Sequence, residues 1–187
     1  MNILFVCSGN ISRSFLAEML LKEEIAQRGL ERVSVKSAGV LAYPGSPADP
    51  RMVEFLDEQG IAAGDHGSRQ LAKVEVDWAD LILVMKKEHV DMIKKEWPGA
   101  EKKMALLGRY ISAAEIEEDI SDPYGRSPYH YRVVQSQITM AVKSLVERII
   151  TGRIGLLREG SRSLSENQLY WRLMENLHMQ GIRNPEE

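Results

Sequence analysis

The chain has 187 residues, 44% of them apolar and 27% charged, with a formal net charge of −3. That is the make-up of one soluble domain, with room for an appendage, able to bury a core without metals or disulfides. It excludes the basic balance of a nucleic-acid binder and gives no pull toward anionic membrane, so neither is expected as a partner.

Residues 2–6, Asn-Ile-Leu-Phe-Val, read as a short strand buried on both faces. The helix expected over 14–28 carries Phe15, Leu16, Met19 and Leu20 on one face, and Gly29 ends it. Val33 and Val35 alternate in a second strand, followed by the loop "LAYPGSPA". Asp49 then caps a helix with Pro50 at its first position, running to Gly60. "ADLILVM", 79–85, is the clearest buried strand; a charged helix over about 87–96 and a weaker strand over 103–107 come next. An acidic stretch leads to a long helix near 129–150, where Val134, Ile138, Ala141, Val142, Leu145 and Ile149 recur at helical spacing. Strands alternating with helices imply an α/β fold with parallel strands and right-handed crossovers. Residues 151–162 read as a linker. Ser163 and Glu166 form a capping box before a last helix over about 164–180, either docked on the domain or offered to a partner.

The single cysteine, Cys7, falls where the first strand ends. One thiol rules out an internal disulfide framework and any multi-thiolate metal site, and the four histidines have no ligand spacing. No metal is expected, and a reducing cytoplasm is the default compartment. The start of the chain has no basic flank or long apolar run, and reads as lacking a targeting signal.

In open α/β sheets, ligands sit beyond the carboxyl ends of strands. There the turn "SGNISR" offers consecutive backbone N–H groups: Ser8, Gly9, Asn10, Ile11, Ser12 and Arg13. Gly9 permits unusual dihedrals and Asn10 tolerates a left-handed one. Such a turn at a helix N-terminus is an anion cradle, and the helix end with Arg13 favours thiolate over thiol. Ser14 can donate a hydrogen bond to the sulfur. A thiolate in a phosphate-shaped nest is a nucleophile aimed at phosphorus, and Arg13 grips two phosphate oxygens with its planar fork. The alternative is a cysteine that is only a small core hydrophobe. Cleaving a phosphate ester also needs a proton for the leaving oxygen. Asp122 in "SDPYGRSP" can supply it, with Pro123 holding its backbone out of helix and Tyr124 set to pack on an aromatic substrate. The alternative here is an ordinary turn.

"FVCSGNISRS", followed in order by "SAGV", "ADLILVM" and "DPYG", resembles the low-molecular-weight protein tyrosine phosphatase family over about residues 1–150. The resemblance implies a four-stranded parallel sheet with helices on both faces, to which residues 151–187 add a linker and an extra C-terminal helix. It implies Cys7 as nucleophile, Arg13 as phosphate clamp and Asp122 as general acid, with no cofactor and a phosphorylated protein as substrate. Asn10 and Ser14 match residues that shape the loop and stabilise the thiolate, and Ser37 and His66 match residues that brace it. His66 can also be read as a plain surface-loop histidine. Two departures stand out. Many members have a second cysteine before the arginine, which protects the nucleophile as a disulfide; here it is Ser12, so peroxide should drive Cys7 further along the oxidation ladder. Phe15 replaces the usual proline.

The pattern is also similar to the bacterial protein arginine phosphatases of this family, which carry threonine where this loop has Ile11. An apolar Ile11 suits the phosphotyrosine type, and Tyr43 and Tyr124 are candidate walls for a phenyl ring, though Tyr43 also fits an ordinary exposed loop aromatic. Arsenate reduction needs several cysteines, which this chain lacks. A phosphocysteine carrier or a phosphate-reading module would not need Arg13 and Asp122 as a pair.

Overall fold

The computed structural model describes residues 1–111 and 118–154. Among them the elements run β1 (Asn2–Cys7), α1 (Arg13–Arg28), β2 (Ser34–Gly39), α2 (Pro50–Glu58), α3 (Lys73–Trp78), β3 (Leu81–Val84), α4 (Lys87–Glu96), β4 (Met104–Leu106) and α5 (Pro128–Ile150). The chain divides into two units, Met1–Val146 and Glu147–Glu187. The helix expected over 164–180 and most of the linker lie outside the described residues.

The four strands form one parallel sheet in the order β2-β1-β3-β4. Helices cover both of its faces. On one, Leu4 and Val6 of β1, Ile82 and Val84 of β3 and Leu106 of β4 meet Val76 of α3 and Ile93 of α4. Strand side chains alternate, so Ile3, Phe5, Leu81 and Leu83 point to the other face, where α1 contacts β1 and β2. Ile3, Leu4, Phe5 and Val6 are wholly buried. Each contributes about 2 kcal/mol on leaving water, which makes β1 a firm base for Cys7 at its end.

The helix stops follow local chemistry. Gly29 takes a left-handed φ of 63° beyond α1 and closes it with a bond to Ile25. Asp49 caps α2 by accepting from the Arg51 N–H at 3.1 Å, with Pro50 at the first helical position. One helix, α3, has no counterpart in the sequence reading. Its segment KVEVDW buries only Val76, and Lys103 closes its far end by donating to the carbonyls of Val76 and Ala79.

The chain leaves β1 toward β2 on one side and crosses to β3 on the other. The C-terminal ends of β1 and β3 therefore border the point where strand order reverses, where open α/β sheets hold their ligands. Cys7 ends β1 there.

Candidate active site

The segment from Cys7 to Arg13 turns tightly at the end of β1 and runs into the first turn of α1. The helix begins at Arg13, one residue earlier than its sequence suggests, with Ser12 at the cap. Ser12 makes no side-chain capping bond, and its hydroxyl is buried without a hydrogen-bond partner among the described residues. Asn10 is the one described non-glycine residue with positive φ, at 56°. That left-handed twist turns its backbone N–H inward, 3.2 Å from the Cys7 sulfur. The Ser14 hydroxyl lies 3.0 Å from the same sulfur. A buried sulfur facing an amide donor and a hydroxyl at a helix N-terminus is placed to carry negative charge.

The loop shape is held from outside. The Asn10 side-chain amide donates to Ser14 Oγ at 3.0 Å and to Ser37 Oγ at 2.7 Å, while its side-chain oxygen accepts from the Arg69 N–H at 2.8 Å. Ser37 in turn donates to the buried carboxylate of Glu18 at 2.5 Å. His66 Nε2 stands 2.6 Å from the Asn10 carbonyl oxygen, so it donates, and its ring packs on Phe15 with centroids 4.6 Å apart. Ser37 and His66 thus both touch Asn10. The Phe15 that replaces proline supplies the surface on which His66 rests. From β2, Gly39 abuts the loop: a Cβ there would lie 2.5 Å from the Ser8 carbonyl oxygen and 2.9 Å from the Asn10 nitrogen. Only glycine allows that approach, the physical content of "SAGV". On the far side, the Asp49 N–H donates to the Ile11 carbonyl and Tyr131 donates to the Asp49 carboxylate, which ties α5 to the loop. Burial and the Asp49 bond push the Tyr131 hydroxyl up to about 12, so it stays a donor.

Arg13 is buried, with its guanidinium held at 3.1 Å by the Ile120 carbonyl, at 3.4 Å by Ser8 Oγ and at 2.5 Å by the Asp122 carboxylate. Asp122 arrives from more than a hundred residues away because its segment is pinned to the end of β3. Ile120 donates to the Met85 carbonyl, and Asp119 accepts from the Lys87 N–H at the start of α4. The Tyr124 N–H donates to the other Asp122 oxygen at 3.1 Å. Asp-Pro-Tyr-Gly is therefore a turn, as the plain reading has it, and the turn aims the carboxylate at Arg13.

A protein-family model of the low molecular weight phosphotyrosine protein phosphatases matches residues 2–153. The chain belongs to that family. It is 39% identical over 149 residues to a protein-arginine-phosphatase of Geobacillus stearothermophilus, covering 80% of this chain and 96% of that one. It is 38% identical over 148 residues to a probable low molecular weight protein-tyrosine-phosphatase, EpsP, of Ralstonia nicotianae, covering 79% and 94%. A solved YwlE arginine phosphatase, a mutant with a phosphorylated active-site serine, superposes with a TM-score of 0.75 at 33% identity over 82% of this chain and 99% of that one.

The phosphatase thus gathers Cys7, Arg13 and Asp122 at the end of β1, and Asn10, Ser14, Ser37 and His66 in one network behind the sulfur. Tyr43 and Tyr124 are both exposed, at 82% and 61%, and neither makes a described side-chain contact with the loop. Among the described residues no helix is long and apolar enough to cross a membrane, and no three potential metal ligands cluster.

Sequence reasoning missed His89. It lies in the first turn of α4, in a segment that reads as a charged, solvated helix, yet it is buried with Nε2 3.0 Å from Ser8 Oγ. Burial, then the positive Arg13 and Lys86, lower its affinity for protons to a value of about 4, against the opposing pull of Asp119 and Asp122. An unfolded chain takes up this proton near pH 6.5 and the folded one only near 4, so stability is complete above pH 6.5 and lost as pH falls through that window. Thermal melts from pH 7 to 4 should show a steeper drop for the wild type than for His89→Gln. Parallel curves would remove His89 as the cause.

Proposed function

We propose that this phosphatase hydrolyses phosphotyrosine on proteins through a phosphocysteine formed on Cys7. The observation that carries the reading is the convergence of the buried Cys7 sulfur, 3.0 Å from Ser14 and 3.2 Å from the Asn10 N–H, with an Arg13–Asp122 pair at 2.5 Å. In the first step Asp122 takes up a proton from solvent as Arg13 leaves it for the phosphoryl group, and the Cys7 thiolate attacks phosphorus in line: the S–P bond forms, the P–O bond to the phenol breaks, and Asp122 gives that proton to the leaving oxygen. Arg13 turns from Asp122 to two phosphoryl oxygens, and the loop amides take the remaining charge. In the second step Asp122 takes a proton from water as its oxygen bonds to phosphorus and the S–P bond breaks, which restores the thiolate and releases phosphate. No step calls for a cofactor. A reducing cytoplasm suits a thiolate enzyme with no second cysteine to shield it.

Ile11 supports the phosphotyrosine reading. Its Cγ1 would lie 3.8 Å from a Cβ on Gly9, so an apolar side chain flanks the loop there. Tyr43 and Tyr124 supply flat apolar walls for a phenyl ring. The second reading, phosphoarginine, is favoured by the arginine phosphatases among the similar proteins. Steady-state kinetics on matched phosphotyrosine and phosphoarginine peptides decide between them. The phosphotyrosine peptide should show the higher kcat/KM, and the reverse order moves the assignment to phosphoarginine.

A further inference from the structure

We infer that His89 is a positioning residue that turns the Ser8 hydroxyl into a phosphate donor, by supplying an Nε2–H to Ser8 Oγ. The inference deepens the phosphatase reading and rests on it.

Two arrangements fit the 3.0 Å contact between Ser8 Oγ and His89 Nε2. If Nε2 accepted from the hydroxyl, the ring hydrogen would sit on Nδ1, which is buried and has no partner among the described residues. That leaves a buried N–H without an acceptor, which carries the full desolvation cost of the group. If Nε2 carries the hydrogen and donates, only a lone pair on Nδ1 goes unmatched, a smaller penalty. The second arrangement is therefore the one the fold supports.

Its consequence falls on Ser8. Arg13 Nη2 lies 3.4 Å from Ser8 Oγ and carries only hydrogens to donate. With His89 also donating, both lone pairs of the hydroxyl oxygen are used by N–H groups. The hydroxyl hydrogen cannot point to either neighbour and is left for an acceptor at the loop. Ser8 directly follows Cys7, so a phosphoryl oxygen on the sulfur is the acceptor within its reach. A neutral imidazole is required, because a charged one would put a second cation beside Arg13 and an unmatched Nδ1–H in the core. Asp119 and Asp122 are the carboxylates that oppose this, and Lys86 and Arg13 the cations that enforce it.

The imidazole geometry supplies a test. A glutamine amide nitrogen reproduces Nε2 and can donate to Ser8, whereas an asparagine nitrogen falls near Nδ1 and cannot. With purified full-length protein and an aryl phosphate substrate, His89→Gln should stay within about three-fold of wild type in kcat/KM. His89→Asn should lose about ten-fold, as expected for a hydrogen bond to a charged group, and weaken competitive inhibition by inorganic phosphate by a similar factor. Ser8→Ala should show the same loss, and His89→Asn added to Ser8→Ala should cost no more, since both remove one interaction. Equal activity of the Gln and Asn variants, or fully additive losses in the double variant, would overturn the inference. Thermal melts separate a folding defect, and if His89→Asn does not fold, phosphate inhibition of Ser8→Ala against wild type still decides: an unchanged inhibition constant rejects the donor role. Failure of wild-type turnover itself would instead count against the phosphatase reading.

Discussion

Replacing Cys7 by serine is expected to abolish turnover, with kcat falling by at least about four orders of magnitude, as when other enzymes lose their nucleophile. The reason lies in what the loop is built to hold. The Asn10 N–H and the Ser14 hydroxyl are directed at a sulfur, which is intrinsically nucleophilic. A serine hydroxyl in the same place keeps its proton, and no imidazole or carboxylate among its described partners can take it. Oxyanion binding should survive. Arg13, the α1 N-terminus and the loop amides stay in place, and the negative sulfur that repels a dianion is gone. Calorimetry with inorganic phosphate or vanadate should give a dissociation constant no weaker than about ten-fold of wild type. Residual activity near the wild-type level removes Cys7 as the nucleophile. Loss of activity together with loss of oxyanion binding points to a collapsed loop instead.

The parts of this site that lie close together in sequence were legible there. An apolar strand, a Gly-Asn turn and an amphipathic helix place Cys7, Asn10, Arg13 and Ser14 within eight residues, so local rules build the cradle. Asp122 was reachable by asking what acid the chemistry needs. What stayed hidden depends on sheet order. His89 meets Ser8 because β3 lies beside β1, with Val6 opposite Val84, so the helix after β3 starts near the loop after β1. No periodicity in a segment rich in Lys and Glu announces that one of its polar residues is buried. The tie from Tyr131 through Asp49 to Ile11 was hidden for the same reason: Asp49 reads as a cap, which it is, and its second carboxylate oxygen serves a partner 82 residues on. The missed α3 failed on pattern. Val74 and Val76 alternate like a strand, but Val74 is exposed and the segment turns helical around Val76 alone.

Replacing Asp122 by alanine should lower kcat by about a hundred- to ten-thousand-fold on phosphotyrosine peptides, and the loss should grow as the leaving group worsens. A nitrophenolate leaves without help, so its ester should be slowed least; tyrosyl and alkyl esters need the proton and should be slowed most. The ion pair with Arg13 adds a second readout. In the free enzyme the carboxylate occupies the guanidinium at 2.5 Å, in competition with phosphate. Without it, Arg13 keeps its bonds to the Ile120 carbonyl and Ser8, and inorganic phosphate should bind at least as tightly as to wild type. Slow chemistry with undiminished phosphate affinity is the signature of an acid that also parks the clamp. A loss equal across nitrophenyl, tyrosyl and alkyl esters would argue that Asp122 only orients Arg13, and weakened phosphate binding would show that the pair holds the guanidinium ready instead of holding it back. The leaving-group series and the phosphate titration therefore separate the two roles of one carboxylate, proton donor and gate on Arg13.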